Sequence, residues 1–255
     1  MITGLTSSLS ALQTLSSKQN VIANNLANLN TPGFKAQRAN LQETPPSGPP
    51  TAAPPGALPV APPGDGVKLA STSRISGPGA TMQTGNPLDL AIRGEGYLTV
   101  QLQNGTQALT RAGNLHVSSE GTVVTEGGKR VMGFPLVPPG TRSISISSAG
   151  VGTYESPAGD VKFQIPLARV SDPGGLENLG ENLLKPTAAS GAPIQGNPES
   201  EGLGSISQGA IELSNVDMVQ EMVNMIEVKH AYSASIKTIK TADKMAGESI
   251  DLLKK

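Results

Sequence analysis

Cysteine and tryptophan are absent from the 255 residues, and the chain has only three tyrosines and three phenylalanines. Without cysteine there are no disulfides, no thiol nucleophile and no Cys-based zinc site. The absence suits a protein exported to an oxidising compartment. So few aromatics make a thin core for a large enzyme and allow no aromatic platform for a sugar. Charged residues are 15% of the chain and the net charge is −1, which gives no broad pull toward nucleic acid or an anionic membrane. The two histidines, His116 and His230, lie far apart with no partner at ligand spacing, so no metal site is expected. No run reaches the roughly 18 apolar residues of a membrane span. The first twenty residues have neither a basic n-region nor a long apolar h-region, so no cleaved secretory signal is expected.

Catalytic signatures are missing as well. There is no GxSxG, HExxH or P-loop pattern, and Gly94-Glu95-Gly96 reads as a tight β connection rather than a phosphate loop. Asp89 with Glu95, or Glu155 with Asp160, could pair as acids, but nothing in the sequence places either pair in a cleft. No enzyme activity, cofactor or small-molecule substrate is expected.

What is present is concentrated at the two ends. Leu5, Leu12 and Leu26 share one heptad position, and Leu15, Ile22 and Leu29 share the position three residues on, with Leu9 beside them. This stripe predicts a helix over about 3–29, capped by Thr3 and stopped by Thr31-Pro32-Gly33. At the other end Met218, Met225, Tyr232, Ile239, Ala246 and Leu253 recur every seven residues, with Met222, Ile236 and Ile250 four residues after three of them. A helix over about 215–253 would be roughly 55–60 Å long at ~1.5 Å per residue. Ser214, Asn215 and Asp217 supply its capping residues and acidic first turn. Ile226 adds to the apolar stripe, and Met218, Met222 and Met225 read as packing against the N-terminal helix rather than as a promiscuous groove. The stripes need partners, either each other or other copies.

The middle is of two kinds. Residues 45–66 hold nine of the 21 prolines and cannot form a helix or central strand. They read as an unstructured or lattice-contact loop in preference to a docked extended ligand. From about 83 to 190 the chain alternates short β-branched runs (88–92, 97–102, 143–146, 161–170) with turns at Gln103-Asn104-Gly105, Glu120-Gly121 and Glu126-Gly127-Gly128. The fold class is therefore α+β: long N- and C-terminal helices forming a coiled-coil-like inner domain, with an inserted β-rich outer domain. The expected divisions are 1–43 with 209–255 for the helical domain, 44–82 for the Pro-rich insertion and linker, 83–190 for the β domain and 191–208 for a return linker.

Certain segments are more specific. Asn24-Asn25-Leu26-Ala27-Asn28-Leu29-Asn30-Thr31-Pro32-Gly33-Phe34-Lys35 resembles the N-terminal signature of the bacterial flagellar rod and hook axial family, ANNLAN-x-NTxGFK. Leu88–Tyr97 looks like the family's LDLAIxGxGFF element, and Thr110–Leu115 like its TRAGNF element, with Tyr97 and Leu115 replacing phenylalanines. Gly209–Asp217, Met222–Ile226 and Ala231-Tyr232 resemble its GxLExSNVD…VNMI…AY block. The resemblance covers nearly the whole chain outside the Pro-rich insertion. Pro173–Leu183 and Thr187–Gly191 look most like the distal-rod branch. A proximal-rod or hook-type paralogue is the rival within the family, and a secreted β-rich binding or adhesin module is the rival of another class.

The resemblance implies a structural subunit that polymerises with itself into a helical tube and transmits torque from motor to hook. It implies other rod proteins and hook or hook-junction subunits as neighbours, the P- and L-ring proteins as a bushing, and unfolded passage through the flagellar type III export apparatus. It places the protein in the basal body across the periplasm. The inter-subunit residues expected on this reading are Leu5, Leu12, Leu15, Ile22, Leu26, Leu29, Met218, Met222, Met225, Ile226, Tyr232, Ile236 and Ile239. Asn24, Asn25, Asn28 and Asn30 read equally as a recognition face or as helix–helix hydrogen bonding, and Thr31-Pro32-Gly33-Phe34 as a helix stop with a buried anchor.

Overall fold

The computed structural model describes residues 2–45, 64–139, 141, 143–156, 159–200 and 202–253. Most of the Pro-rich insertion lies outside the described residues. The chain divides into two compact units, one of residues 1–27, 37–73 and 217–255, the other of residues 28–36 and 74–216.

The first unit is helical. Helix α1 spans Ile2–Ala27 and helix α2 spans Met218–Leu253. α1 starts one residue before the expected cap Thr3 and ends at Ala27, where Asn28–Asn30 turn ahead of Pro32. The two helices pack antiparallel, since Asn25 near the end of α1 bonds Glu221 near the start of α2. The face of α2 turned to α1 runs through Glu221, Met225, Val228, Ser235, Ile239, Ala242 and Ala246, a spacing near 3.5. Val228 is its most buried side chain among the described residues. Met218 and Met222 were expected against α1 but are exposed, because the seam steps from 221 to 225 to 228 and leaves them on the other side.

α1 also carries a two-stranded sheet of Gln37–Thr44 and Gly66–Arg74. The hydroxyl of Thr14 donates to the Val67 carbonyl at 3.0 Å and the Val67 N–H donates to Ser10 Oγ at 3.2 Å. Gly66, at φ +124°, makes this approach possible, because a Cβ there would collide with Ser10 Oγ. This strand, and a second at Thr81–Gln83, occupy residues that read as linker in the sequence. Their exposed, polar alternation gives no apolar period to detect.

The second unit is the β-rich one. Its main sheet, among the described residues, runs Glu177–Gly180, Leu183–Lys185, Gln107–Thr110, Tyr97–Gln101, Arg130–Val131, Val123–Thr125, Leu115–Val117. Leu167–Arg169 joins its Tyr97–Gln101 strand and pairs in turn with Ile194–Gly196. Ile144–Ile146, Val151–Ser156 and Gly159–Gln164 form a separate meander. The expected single run 161–170 is broken at Pro166, which cannot donate to a ladder. The expected turns form: Gly105, Gly121 and Gly128 all take positive φ. The core gathers Leu90, Ile92, Leu98, Val100, Leu115, Val123, Val131, Ile165, Leu167 and Ile206.

The expected return linker is also sheet. Ser205–Gln208 pairs antiparallel with Leu90–Arg93, and just beyond the expected linker Ala210–Glu212 pairs with Thr81–Gln83. The C-terminal segment thereby lies beside strands more than a hundred residues earlier. That pairing leaves no local signature in a Gly-rich stretch.

Candidate functional site

The motif segments meet in the second unit around one carboxylate. Glu212 is 1% exposed at the end of its strand. Its Oε1 accepts from Lys35 Nζ at 2.5 Å and from the Gly79 N–H at 2.8 Å, while Oε2 accepts from Arg111 Nη1 at 3.2 Å. Lys35 Nζ also donates to the Gly77 carbonyl, and Arg111 Nη2 to the Gly94 carbonyl, each at 2.8 Å. The Arg111 guanidinium sits 5.3 Å from the centre of the Tyr97 ring. Two cations thus share one anion away from water.

The electrostatics follow from that count. Burial pushes the Lys35 amine below its usual range, against the pull of Glu212. Burial alone would raise Glu212, but the Lys35 hydrogen bond, the Arg111 charge and the Gly79 amide outweigh it and hold the carboxyl below its ordinary value. Burial also raises the Tyr97 hydroxyl and lowers Arg74.

The backbone around the cluster is equally constrained. The Gly33 N–H donates to the Glu212 carbonyl at 2.8 Å. Gly33 has φ +71°, and a Cβ there would lie 2.6 Å from the Arg111 carbonyl carbon and the Ala112 nitrogen. Only glycine fits where the N-terminal motif crosses the Thr110–Leu115 motif. Asn215 holds the other side. Its Oδ1 accepts from the Ala36 N–H at 2.7 Å, and its Nδ2 donates to the carbonyls of Ile75 and Gly77. Phe34, Ala36 and Val216 close a small apolar core with Leu29. The Pro32 carbonyl accepts from Asn182 Nδ2 at 3.0 Å, and Thr31 Oγ1 donates to Asn28 Oδ1 at 3.1 Å. The segment that follows α1 in sequence and the segment that precedes α2 are therefore bound to each other and to the Arg111 turn.

The remaining site residues divide between roles. In the helical unit Asn25 is 1% exposed. Its Oδ1 accepts from the Gln37 N–H, and its Nδ2 donates to the Gln37 carbonyl and to Glu221, all at 2.8–2.9 Å. Asn24 and Asn30 are exposed, and Asn28 is half-buried. Asp217 is the cap of α2, accepting from the amides of Val219 and Gln220. Ser214 and Asn215, expected as caps, instead bond locally and to the 34–36 segment. Leu5, Leu12, Leu15, Leu26, Met225, Ile236 and Ile239 are half-buried and Ile22 is buried, whereas Met218, Met222, Ile226 and Tyr232 face solvent. With Val219 (67% exposed) and Val223, the residues Met218, Met222 and Ile226 form a continuous uncovered apolar strip at helical spacing.

Lys35, Arg111 and Glu212 were not singled out from sequence. The available signal is a lone charge flanked by small or apolar residues in each motif: Phe34-Lys35-Ala36, Thr110-Arg111-Ala112 and Ile211-Glu212-Leu213.

Replacing Asn25 by alanine is expected to remove three hydrogen bonds, two of them to the backbone of the half-buried Gln37, at a cost of about 1–3 kcal/mol to the helical unit. Limited proteolysis of α1, read beside circular dichroism, checks this, and unchanged protection would exclude a structural role for the amide.

Comparison with known proteins is consistent along the chain. Residues 5–35 match the family described as flagella basal body rod protein, residues 91–154 the flagellar hook protein FlgE/F/G D1 domain, and residues 207–252 the flagellar basal body rod FlgEFG protein C-terminal region. The chain is 39% identical to the flagellar basal-body rod protein FlgG of Caulobacter vibrioides, over 88% of this chain and 89% of the relative. It is 33% identical to FlgG of Bacillus subtilis over 99% of both chains, and 30% identical to the rod protein FlgF of Salmonella typhimurium over 95% and 94%. With relatives this similar along almost its full length, the chain belongs to the flagellar basal-body rod protein family.

Proposed function

We propose that this chain, a structural subunit of the flagellar basal-body rod, sits in the distal rod and polymerises with its own copies into a helical tube that carries torque from motor to hook. The observation that carries the reading is the uncovered strip Met218, Val219, Met222, Val223 and Ile226 on α2. Five large apolar side chains on one helical face are a liability in an isolated subunit and a contact in a polymer. A contact of this kind that does not close on itself generates an open helical assembly. Higher identity to FlgG than to FlgF supports the distal position.

On this reading the helical unit lines the inner tube and the β-rich unit forms the outer layer. The role is structural rather than catalytic: the buried charges of the second unit are spent on joining chain segments. Other rod proteins and hook or hook-junction subunits are the axial neighbours, and the P- and L-ring proteins surround the tube as a bushing. The subunit crosses to the periplasm through the flagellar type III export apparatus, and assembly adds inter-subunit stability to the folded chain.

Cryo-electron microscopy of purified basal bodies tests this. Helical density for this chain in the thick part of the axis, near the hook and inside the rings, is expected. Density limited to a few subunits near the inner-membrane ring would replace the distal assignment with a proximal one, and absence from the axis would overturn the reading.

A further inference from the structure

The ion cluster leaves one strong donor unused. Arg111 is 7% exposed; its Nη1 serves Glu212 and its Nη2 the Gly94 carbonyl, but its buried Nε–H meets no acceptor among the described residues. A buried donor of this kind is normally satisfied, because the water it gave up was a hydrogen-bond partner. Arg111 also lines a small pocket of about 70 Å3, together with Ser76, Glu95, Tyr97 and Arg169. That volume matches about two waters or one carboxylate group.

The charge around the pocket is unbalanced toward positive. Among the described residues Lys35 and Arg111 share the single carboxylate of Glu212, Arg111 lies over the Tyr97 ring, the charge of Arg74 acts on the Tyr97 hydroxyl, and the exposed Arg169 lines the pocket. The one acid lining the pocket is Glu95, which is exposed and can turn to water. The cation–π contact with Tyr97 and the bonds to Glu212 and Gly94 fix the Arg111 plane, so the free Nε–H is preorganised. A guanidinium held this way recognises a carboxylate better than a mobile lysine would.

We propose that this pocket binds one small carboxylate, with Arg111 Nε and the Arg169 guanidinium as the charged donors and the Ser76 hydroxyl as a neutral one. The carboxylate has two sources of the same chemistry: a free organic acid, or an aspartate or glutamate side chain of a second copy of this chain. Only the second source rests on the polymer reading above.

The test is thermal unfolding of the full chain titrated with sodium acetate at constant ionic strength, with sodium fluoride as the balancing salt. A rise in Tm that begins near Kd, grows with the logarithm of the acetate concentration and reaches about 5 °C at a hundredfold excess over Kd is expected. Arg169→Gln, a change at the exposed rim, is expected to weaken the apparent affinity about tenfold, and Glu95→Gln, which removes the like charge, to tighten it about threefold. No shift, or a shift identical in the parent and Arg169→Gln, overturns the site. A second arm follows assembly in the same acetate series. Slower assembly of the parent chain, with no such effect in Arg169→Gln, identifies the side chain of a second copy as the natural occupant. Unchanged assembly alongside the Tm shift identifies a free acid. Since the unfolding arm requires no polymer, failure of the site and failure of the polymer reading are read separately.

Discussion

Replacing Glu212 by glutamine is expected to destabilise the β-rich unit by about 3–5 kcal/mol at pH 7, the cost of leaving buried cations without their anion. Lys35 and Arg111 would keep only their carbonyl partners at Gly77 and Gly94. The amide is nearly isosteric, so no cavity contributes to the loss. The pH dependence separates this from a packing defect. Glu212 is depressed below its ordinary value of 4.5, so in the parent chain its contribution is present above about that pH and is lost as pH falls through the folded value. Lys35 is also depressed, below 10.5, so the unfolded chain binds the extra proton between the folded and unfolded values, and stability from this group rises with pH across that window. Without Glu212 the window opens further toward neutral pH. The gap between parent and Glu212→Gln should therefore be widest near neutrality and should narrow on both the acid and the alkaline side. Urea unfolding of the full chain from pH 3 to pH 10 measures it. A gap under about 1 kcal/mol, or one flat with pH, would mean that the cluster does not hold the segments together.

This cluster was the part of the molecule least visible in the sequence, and the reason is physical. Helical packing writes itself locally: Leu5, Leu12 and Leu26, or Met225 and Ile239, repeat at a spacing that only a helix seam requires. Turns are similarly local, since Asn104-Gly105 and Glu126-Gly127-Gly128 carry their own conformational preference. Lys35, Arg111 and Glu212 lie 76 and 101 residues apart in sequence, and nothing near any one of them names its partners. What betrays them is composition at the scale of three residues, a single charge between apolar neighbours. The strands at Ile194–Gly196 and Ser205–Gln208 escaped for a related reason: pairing by backbone amides asks little of side chains in a Gly-rich stretch. The misassigned face of Met218 and Met222 is different. The seven-residue repeat was real, but two apolar stripes share the first turns of α2, and periodicity alone does not say which one the partner helix of the same chain covers.

That second stripe carries the other large expected effect. Ile226→Asp is expected to abolish assembly while leaving both units folded, because Ile226 is 55% exposed and stands off the buried seam of α2. The contrast is Val228→Asp, two residues away on the seam toward α1 and 2% exposed, which should unfold the helical unit itself. An aspartate at 226 forfeits roughly 1.5–3 kcal/mol of apolar burial at every inter-subunit contact and adds the cost of enclosing a charge. In a helical polymer each subunit makes that contact on more than one side, so the critical concentration should rise by at least about a hundredfold. The half-buried Leu26 on α1 falls between the two cases: Leu26→Asp should weaken the α1–α2 seam and assembly together. Sedimentation of the purified chain and swimming of cells carrying the variant provide the two readings. Normal motility with Ile226→Asp would show that the exposed stripe is not what joins one subunit to the next, whereas lost assembly with an unchanged circular dichroism spectrum would place the joining contact on that face of α2.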